Sequence, residues 1–231
     1  MLIWIASYPR SGNRFFRWVA RFRYGMPERA KLAGPPESDP NFALLRSLEN
    51  VIASPEPVMV KTHEFPDADA FPAVYVLRDG RDAMVSYTHF ALTVVKQVSP
   101  DAITPTLFHT TMRDLLLEER SPYGSWAENV QAWAAKPGVA VVRYEDMVLD
   151  PGSMVDRTLA AIGCPARRIS EGVPMFDSMK KEDAKLVRRG KPGSWKDEFP
   201  ADLLPLFWQR NGSAMHQFGY AEDSGSEKRA A

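Results

Sequence analysis

Cysteine is nearly absent: Cys164 is the only one in 231 residues. No internal disulfide can form and no thiolate cluster is available for a metal, which fits a reducing compartment and a packing role for this side chain. Histidine is sparse too, with four residues and no cluster at metal-ligand spacing, so no metal is expected. Long hydrophobic runs are missing. The apolar start, Leu2–Ala6, is too short for a signal-peptide core and has no basic residues before it, and nothing approaches the ~20 residues that span a bilayer. A cytoplasmic protein with no membrane partner is expected. Excess charge of either sign is also lacking, since Lys+Arg and Asp+Glu both number 29. Without a global basic field, nucleic acid is not an expected partner, and any anion site must come from local clustering.

At 231 residues and 45% hydrophobic content, the chain can bury one good core. Four short, nearly continuous apolar runs read as buried parallel strands: Leu2–Ala6, Val58–Val60, Ala73–Leu77 and Val139–Val142. Helical patterns occupy Arg14–Tyr24, about Asp82–Val95, Thr106–Glu119, Ser125–Ala135, Ser153–Ile162 and Leu203–Phe218. This alternation predicts a single-domain α/β fold, a P-loop-like parallel sheet with helices on both faces, over residues 1–220. Two stretches break the alternation. Residues 25–57 are irregular with one short helical piece near Phe42–Asn50, and residues 96–123 mix proline with an amphipathic helix. Both are placed beside the crevice as specificity elements. The polar end, residues 221–231, is expected to be a disordered tail.

The strand exits carry the chemistry. They read "SYPRSGN", "KTHEF", "RDGRD" and "RYED", all charged or hydrogen-bonding. Open α/β sheets bind ligands at the carboxyl ends of their strands, so these four segments should converge. The first is a strand–loop–helix with small residues and Arg10 at the helix start, the usual form of an anion site. It is not a Walker A loop, having neither the glycine spacing nor the Lys-Ser/Thr pair, which disfavours an ordinary ATP-using kinase.

In order and spacing these segments resemble the cytosolic type of sulfotransferase, which uses 3′-phosphoadenosine 5′-phosphosulfate (PAPS). Ser7–Asn13 is similar to the family's 5′-phosphosulfate loop, with Arg10 where most members have lysine. Lys61-Thr62-His63 resembles the segment holding the catalytic histidine. Val74–Phe90 resembles the 3′-phosphate motif, with Arg78 and Ser86 in the phosphate-contact positions. "YEDM" at Tyr144–Met147 resembles the segment whose tyrosine meets the adenine. "RRGKPGSWKDEF", Arg188 to Phe199, resembles the C-terminal motif, and Gly124–Trp133 a helix before the last strand. The resemblance implies a sulfotransferase fold and transfer of a sulfonate group from PAPS to a small-molecule acceptor, leaving 3′-phosphoadenosine 5′-phosphate (PAP).

On that reading Ser11, Gly12, Asn13 and Arg14 cradle the 5′ end with Arg10. Arg78, Ser86, Arg188, Arg189 and Gly190 hold the 3′-phosphate through charge-assisted bonds. Phe15 and Phe176 stack on the adenine beside Tyr144. His63 is the general base, with Lys61 and Arg10 stabilising charge. His89, His109 and His216 are expected to be structural. The acceptor pocket is expected to be apolar, lined from Phe42, Leu44, Leu45, Leu107, Phe108, Met112, Leu115 and Leu116, or else these residues pack the lid on the sheet. A divergent nucleotide kinase and an inactive PAP-binding module are the alternatives. Lys196–Pro205 departs from a dimer signature of the family, which leaves the oligomeric state open.

Overall fold

Apolar side chains that alternate sides along a strand need cover on both faces, and the chain supplies it. The computed structural model describes residues 1–30, 51–119, 121–174 and 190–222. Its sheet is parallel throughout, in the order β2-β3-β1-β4-β5: β1 Leu2–Ala6, β2 Glu28–Ala30, β3 Val58–Thr62, β4 Ala73–Leu77 and β5 Val139–Arg143. The described helices are α1 Asn13–Tyr24, α2 Gly80–Phe90, α3 Pro105–Leu117, α4 Trp126–Ala135, α5 Tyr144–Leu149, α6 Pro151–Ala161 and α7 Leu204–Gln217.

One face of the sheet, with Leu2, Trp4, Val58, Val60, Tyr75 and Leu77, packs against residues of α2, α3, α4 and α7. The other, with Ile3, Ile5, Met59, Val74 and Val76, packs against α1, α5 and α6. Burial on both faces of β1, β3 and β4 explains why those strands read as continuous apolar runs rather than alternating ones, whereas β5, expected to be buried as well, is an edge strand that is mostly half-exposed, with Val141 open to solvent. The chain leaves β1 toward β2 and β3 on one side and crosses to β4 and β5 on the other. The carboxyl end of β1 is therefore where neighbouring connections diverge and a crevice opens. Among the described residues no helix is long and apolar enough to cross a membrane.

Several elements differ from expectation. β2 lies inside the stretch read as irregular; it is three residues long and charged, and its strand character comes from pairing Glu28 with Met59 and Arg29 with Val60. α5 was not anticipated, because "YEDM" reads as a strand exit. α2 starts at Gly80, two residues earlier than the periodicity suggests, because Asp79 caps it by accepting from the Arg81 amide at 2.9 Å. Its continuation over Ala91–Val95 widens to i+5 spacing, with the Lys96 amide donating to the Ala91 carbonyl. The expected helical piece near Phe42–Asn50 and the tail beyond residue 222 lie outside the described residues.

Candidate active site

α1 begins without a side-chain cap and has no acidic residue in its first turn. By contrast α3 is capped by Thr104, α6 by Asp150, and α4 by a capping box of Ser125 and Glu128. An uncapped N-terminus presents N–H groups and the positive end of the helix dipole to whatever lies in the preceding loop. That loop turns through two left-handed residues, Arg10 at φ 67° and Gly12 at φ 97°. Asn13 fastens it from below: its amide donates to the Ile5 carbonyl at 2.7 Å and to Ser7 Oγ at 3.3 Å, and its Oδ1 accepts from Arg17 Nε at 2.9 Å. These three bonds fix the loop at the start of α1.

Gly12 lies directly under the Tyr144 ring. A Cβ there would sit 2.3 Å from Tyr144 Cδ2. Tyr144 is held in turn by its hydroxyl, which donates to the Gly190 carbonyl at 2.7 Å, and Phe15 stands edge-on to it at 6.3 Å. The Arg78 guanidinium covers the tyrosine ring, 4.6 Å from the centroid. Arg78 also donates to the Arg10 carbonyl at 3.2 Å and lies 3.7 Å from Asp82. The first loop, the β4 exit, the β5 exit and the Gly190 segment therefore converge as expected. Arg10 reaches sideways, donating from Nε to Ser86 Oγ at 3.2 Å, with its guanidinium 5.3 Å from the Phe90 ring. This joins the residue expected at the 5′ end to one expected at the 3′-phosphate. Arg14 lies half-buried in the first turn of α1. Phe176, Arg188 and Arg189 lie outside the described residues.

Among the described residues, two buried polar atoms in this crevice have no hydrogen-bond partner, Ser11 Oγ and Arg78 Nε. Unpartnered buried polar atoms are costly, and both point to a polar ligand as the missing partner. A hydroxyl and a guanidinium N–H beside an uncapped helix start are the donors that suit phosphate or sulfate oxygens. The described residues thus fit an anionic nucleotide of the expected kind.

His63 follows β3 directly and meets the same loop. Its Nδ1 is 2.8 Å from the Ser7 carbonyl and 3.3 Å from Ser7 Oγ. A carbonyl only accepts, so the ring proton belongs on Nδ1 and the lone pair on Nε2. Burial, followed by the positive charge of Lys61, holds the imidazole down to about 3, with the Ser7 bond pulling the other way and Arg17 and Arg10 adding to the depression. The ring is therefore neutral at ordinary pH. Tyr123 stands edge-on to it at 6.0 Å. A separate run of ring contacts, Tyr8–Tyr87 at 6.1 Å and Tyr87–Phe90 at 6.4 Å, ends against Arg10. Of the other histidines, His89 and His109 each meet a carboxylate at 2.7 Å, and His216 lies against Trp208.

Two acidic residues that carry no role in the sequence reading hold the site together. Asp82, 1% exposed, accepts from the Gly193 amide at 2.7 Å, the Trp195 amide at 2.8 Å and Ser194 Oγ at 3.2 Å. It clamps the C-terminal motif onto α2 beside Arg78, and Arg81 adds its guanidinium 4.0 Å from the Trp195 centroid. Glu145 accepts from the Asp79 amide and from the Tyr220 hydroxyl, both at 3.0 Å, joining the β4 and β5 exits. Both acids were visible in "RDGRD" and "YED", but only as charge. Phe108, Met112 and Leu116, proposed as pocket lining, are buried in the core, with Leu107 and Leu115 packed against it. Helical spacing alone could not separate lining from core. Phe42, Leu44 and Leu45 lie outside the described residues. No group of three or more His, Cys, Asp or Glu able to hold a metal occurs among the described residues.

Comparison with known proteins accords with this geometry. The model of the sulfotransferase domain matches residues 2–219. Cytosolic sulfotransferase 1 of Danio rerio is 29% identical, over 85% of this chain and 77% of its own length. Sulfotransferase 1E1 of Mus musculus is 25% identical, over 88% and 79%. Among solved structures, mouse sulfotransferase SULT7A1 complexed with PAP superposes with a TM-score of 0.64 at 20% identity, covering 92% of this chain and 83% of that one. A retinol dehydratase in complex with retinol and PAP gives 0.63 at 20% identity, covering 96% and 83%. With a family match over nearly the whole chain and the same fold in its neighbours, this chain belongs to the sulfotransferase family.

Proposed function

We propose that this protein transfers a sulfonate group from PAPS to a hydroxyl or amine of a small acceptor, with His63 as the general base. The observation that carries the reading is the Nδ1 contact of His63 with the Ser7 carbonyl, because it leaves Nε2 as a neutral acceptor beside an uncapped anion loop. When bound, PAPS supplies an activated sulfonate and a phosphate leaving group. Ser11, Gly12, Asn13 and Arg14 receive its 5′ end at the start of α1. Arg78 and Ser86, with Gly190 and the neighbouring Arg188 and Arg189, receive the 3′-phosphate, and Phe15, Phe176 and Tyr144 the adenine. His63 Nε2 takes the acceptor proton as the acceptor oxygen or nitrogen bonds to sulfur and the sulfur–oxygen bond to the 5′-phosphate breaks. Lys61 and Arg10 stabilise the negative charge that moves onto the phosphate; no metal is required for that role. The product is PAP with a sulfated acceptor.

The acceptor side has an aromatic wall at the base, since Tyr123 stands edge-on to His63, while Phe108, Met112 and Leu116 belong to the core together with Tyr8. A phenol or a hydroxylated compound with an apolar body suits such a wall. The neighbour that holds retinol with PAP is a precedent for an apolar ligand on this fold. A screen of phenols, aliphatic alcohols, amines and oligosaccharides with labelled PAPS tests this, and preference for a charged oligosaccharide would overturn it.

Calorimetry with PAP and ADP tests the donor assignment. PAP should bind more tightly, and Arg78→Ala should remove about 1.5–3 kcal/mol of the PAP affinity, as for a charged hydrogen bond. Equal affinity for the two nucleotides would refute the assignment. His63→Ala should lower turnover by roughly 10²–10⁴-fold while PAP still binds. Near-normal turnover in a folded variant would move the base elsewhere.

A further inference from the structure

Asn129 has no part in binding or proton transfer as described above, yet its side-chain amide makes three hydrogen bonds in the crevice. It projects from α4 and is completely buried. Its two N–H groups donate to the His63 carbonyl and to the Tyr123 carbonyl, each at 2.9 Å. Its Oδ1 accepts from the Tyr75 hydroxyl, also at 2.9 Å. Tyr75, on β4 and equally buried, accepts in turn from the Tyr8 amide at 3.1 Å. A single amide thus connects three things: the backbone of His63, the backbone of the residue whose ring stands edge-on to the imidazole, and the loop residue next to Ser7. Ser7 is the residue whose carbonyl takes the Nδ1 proton. Both partners of the bond that sets the tautomer and direction of His63 are therefore tethered to the same buried group.

We propose that Asn129 and Tyr75 are positioning residues that lock the His63 imidazole onto the Ser7 carbonyl and so aim Nε2 at the acceptor. The proposal rests on His63 being the base. An apolar pair of similar shape would fill the same space between β4 and α4 without the cost of burying an amide and a phenol. What the polar pair adds is direction, because its bonds have fixed partners on two segments that local sequence does not hold together. Near-attack geometry is sensitive to this, and a displacement of about 1 Å can cost ~10²-fold in rate.

Asn129→Leu removes all three bonds, and Tyr75→Phe removes one hydroxyl with little change of volume. The groups that face His63 are Lys61, Arg17, Arg10, Ser7 and Tyr123, and all are kept in both variants. NMR titration of the histidines in the free protein, with His63 assigned through His63→Ala, gives a readout that a purely structural role would not move. In the folded variants the His63 midpoint should climb from about 3 by at least one unit toward 6.5, as the ring swings into water. A midpoint unchanged in both variants would overturn the proposal.

Transfer from labelled PAPS to 2-naphthol gives the second arm. Asn129→Leu should lower kcat by roughly 10–10²-fold with PAP affinity kept. The double variant Asn129→Leu/His63→Ala should be no slower than His63→Ala alone. Losses that multiply would also overturn the proposal. Should His63→Ala itself leave turnover intact, the base reading falls, and the titration alone then decides the positioning. If Asn129→Leu does not fold, Tyr75→Phe carries both arms.

Discussion

Replacing Gly12 with alanine should damage this protein more than the same change at a left-handed glycine that has open space around it. Two costs coincide there. An L side chain at φ 97° is strained by about 1–2 kcal/mol. The new Cβ would also lie 2.3 Å from Tyr144 Cδ2 and 2.9 Å from Cε2, so the ring must move. Overpacking of this kind costs about 1–3 kcal/mol. Displacing the ring also loosens the 2.7 Å bond from the Tyr144 hydroxyl to the Gly190 carbonyl, about 1 kcal/mol more, and disturbs Arg78 above it. The expected total is about 3–6 kcal/mol, or roughly 10–20 °C in Tm for a domain of this size. Gly163 is the control: its φ is 64° and nothing lies within 4 Å of its Cβ position, so alanine there bears only the strain. Calorimetric melting of the two variants isolates the collision. The Gly12→Ala/Tyr144→Ala double variant should lose less than the two singles together, since the collision has gone. A Gly12→Ala protein that melts with Gly163→Ala would refute the close approach of loop and ring.

Asp82→Ala leaves the Gly193 and Trp195 amides and the Ser194 hydroxyl without their acceptor, and should cost about 3–5 kcal/mol by denaturant titration and weaken PAP along with it; unchanged PAP affinity would show that the clamp does not shape the 3′-phosphate site. Stability should also fall between pH 7 and pH 5 through His63. The unfolded chain takes its proton near 6.5 while the folded imidazole waits until about 3, so the folded protein binds fewer protons in that window and its stability is complete only above it. The loss should be about 1–2 kcal/mol, absent from His63→Gln and smaller with PAP bound, because an anion offsets Lys61, Arg17 and Arg10. Equal losses in the native protein and His63→Gln would contradict the half-buried, neutral ring.

The sequence alone determined the layered α/β class, the four apolar strands and their charged exits, because a short apolar run and the polar turn that follows are local properties, though not how deeply each run is buried, since β5 at the edge is mostly half-exposed. It also determined that the exits meet, since parallel strands separated by helices place their carboxyl ends on one edge. Local pattern did not reveal β2, whose Glu28-Arg29-Ala30 becomes a strand only by pairing with β3. Nor did it separate pocket from core on α3, where Phe108, Met112 and Leu116 have the spacing of either. The supporting residues were the least legible. Asp82 acts on backbone more than a hundred residues away, and Asn129 on His63 across 66 residues. A hydrogen bond depends on position in space, and only tertiary packing brings these donors and acceptors within 3 Å of each other. The sequence therefore named the chemical groups of the site, and the tertiary structure decided which of them face a ligand and which hold the others in place.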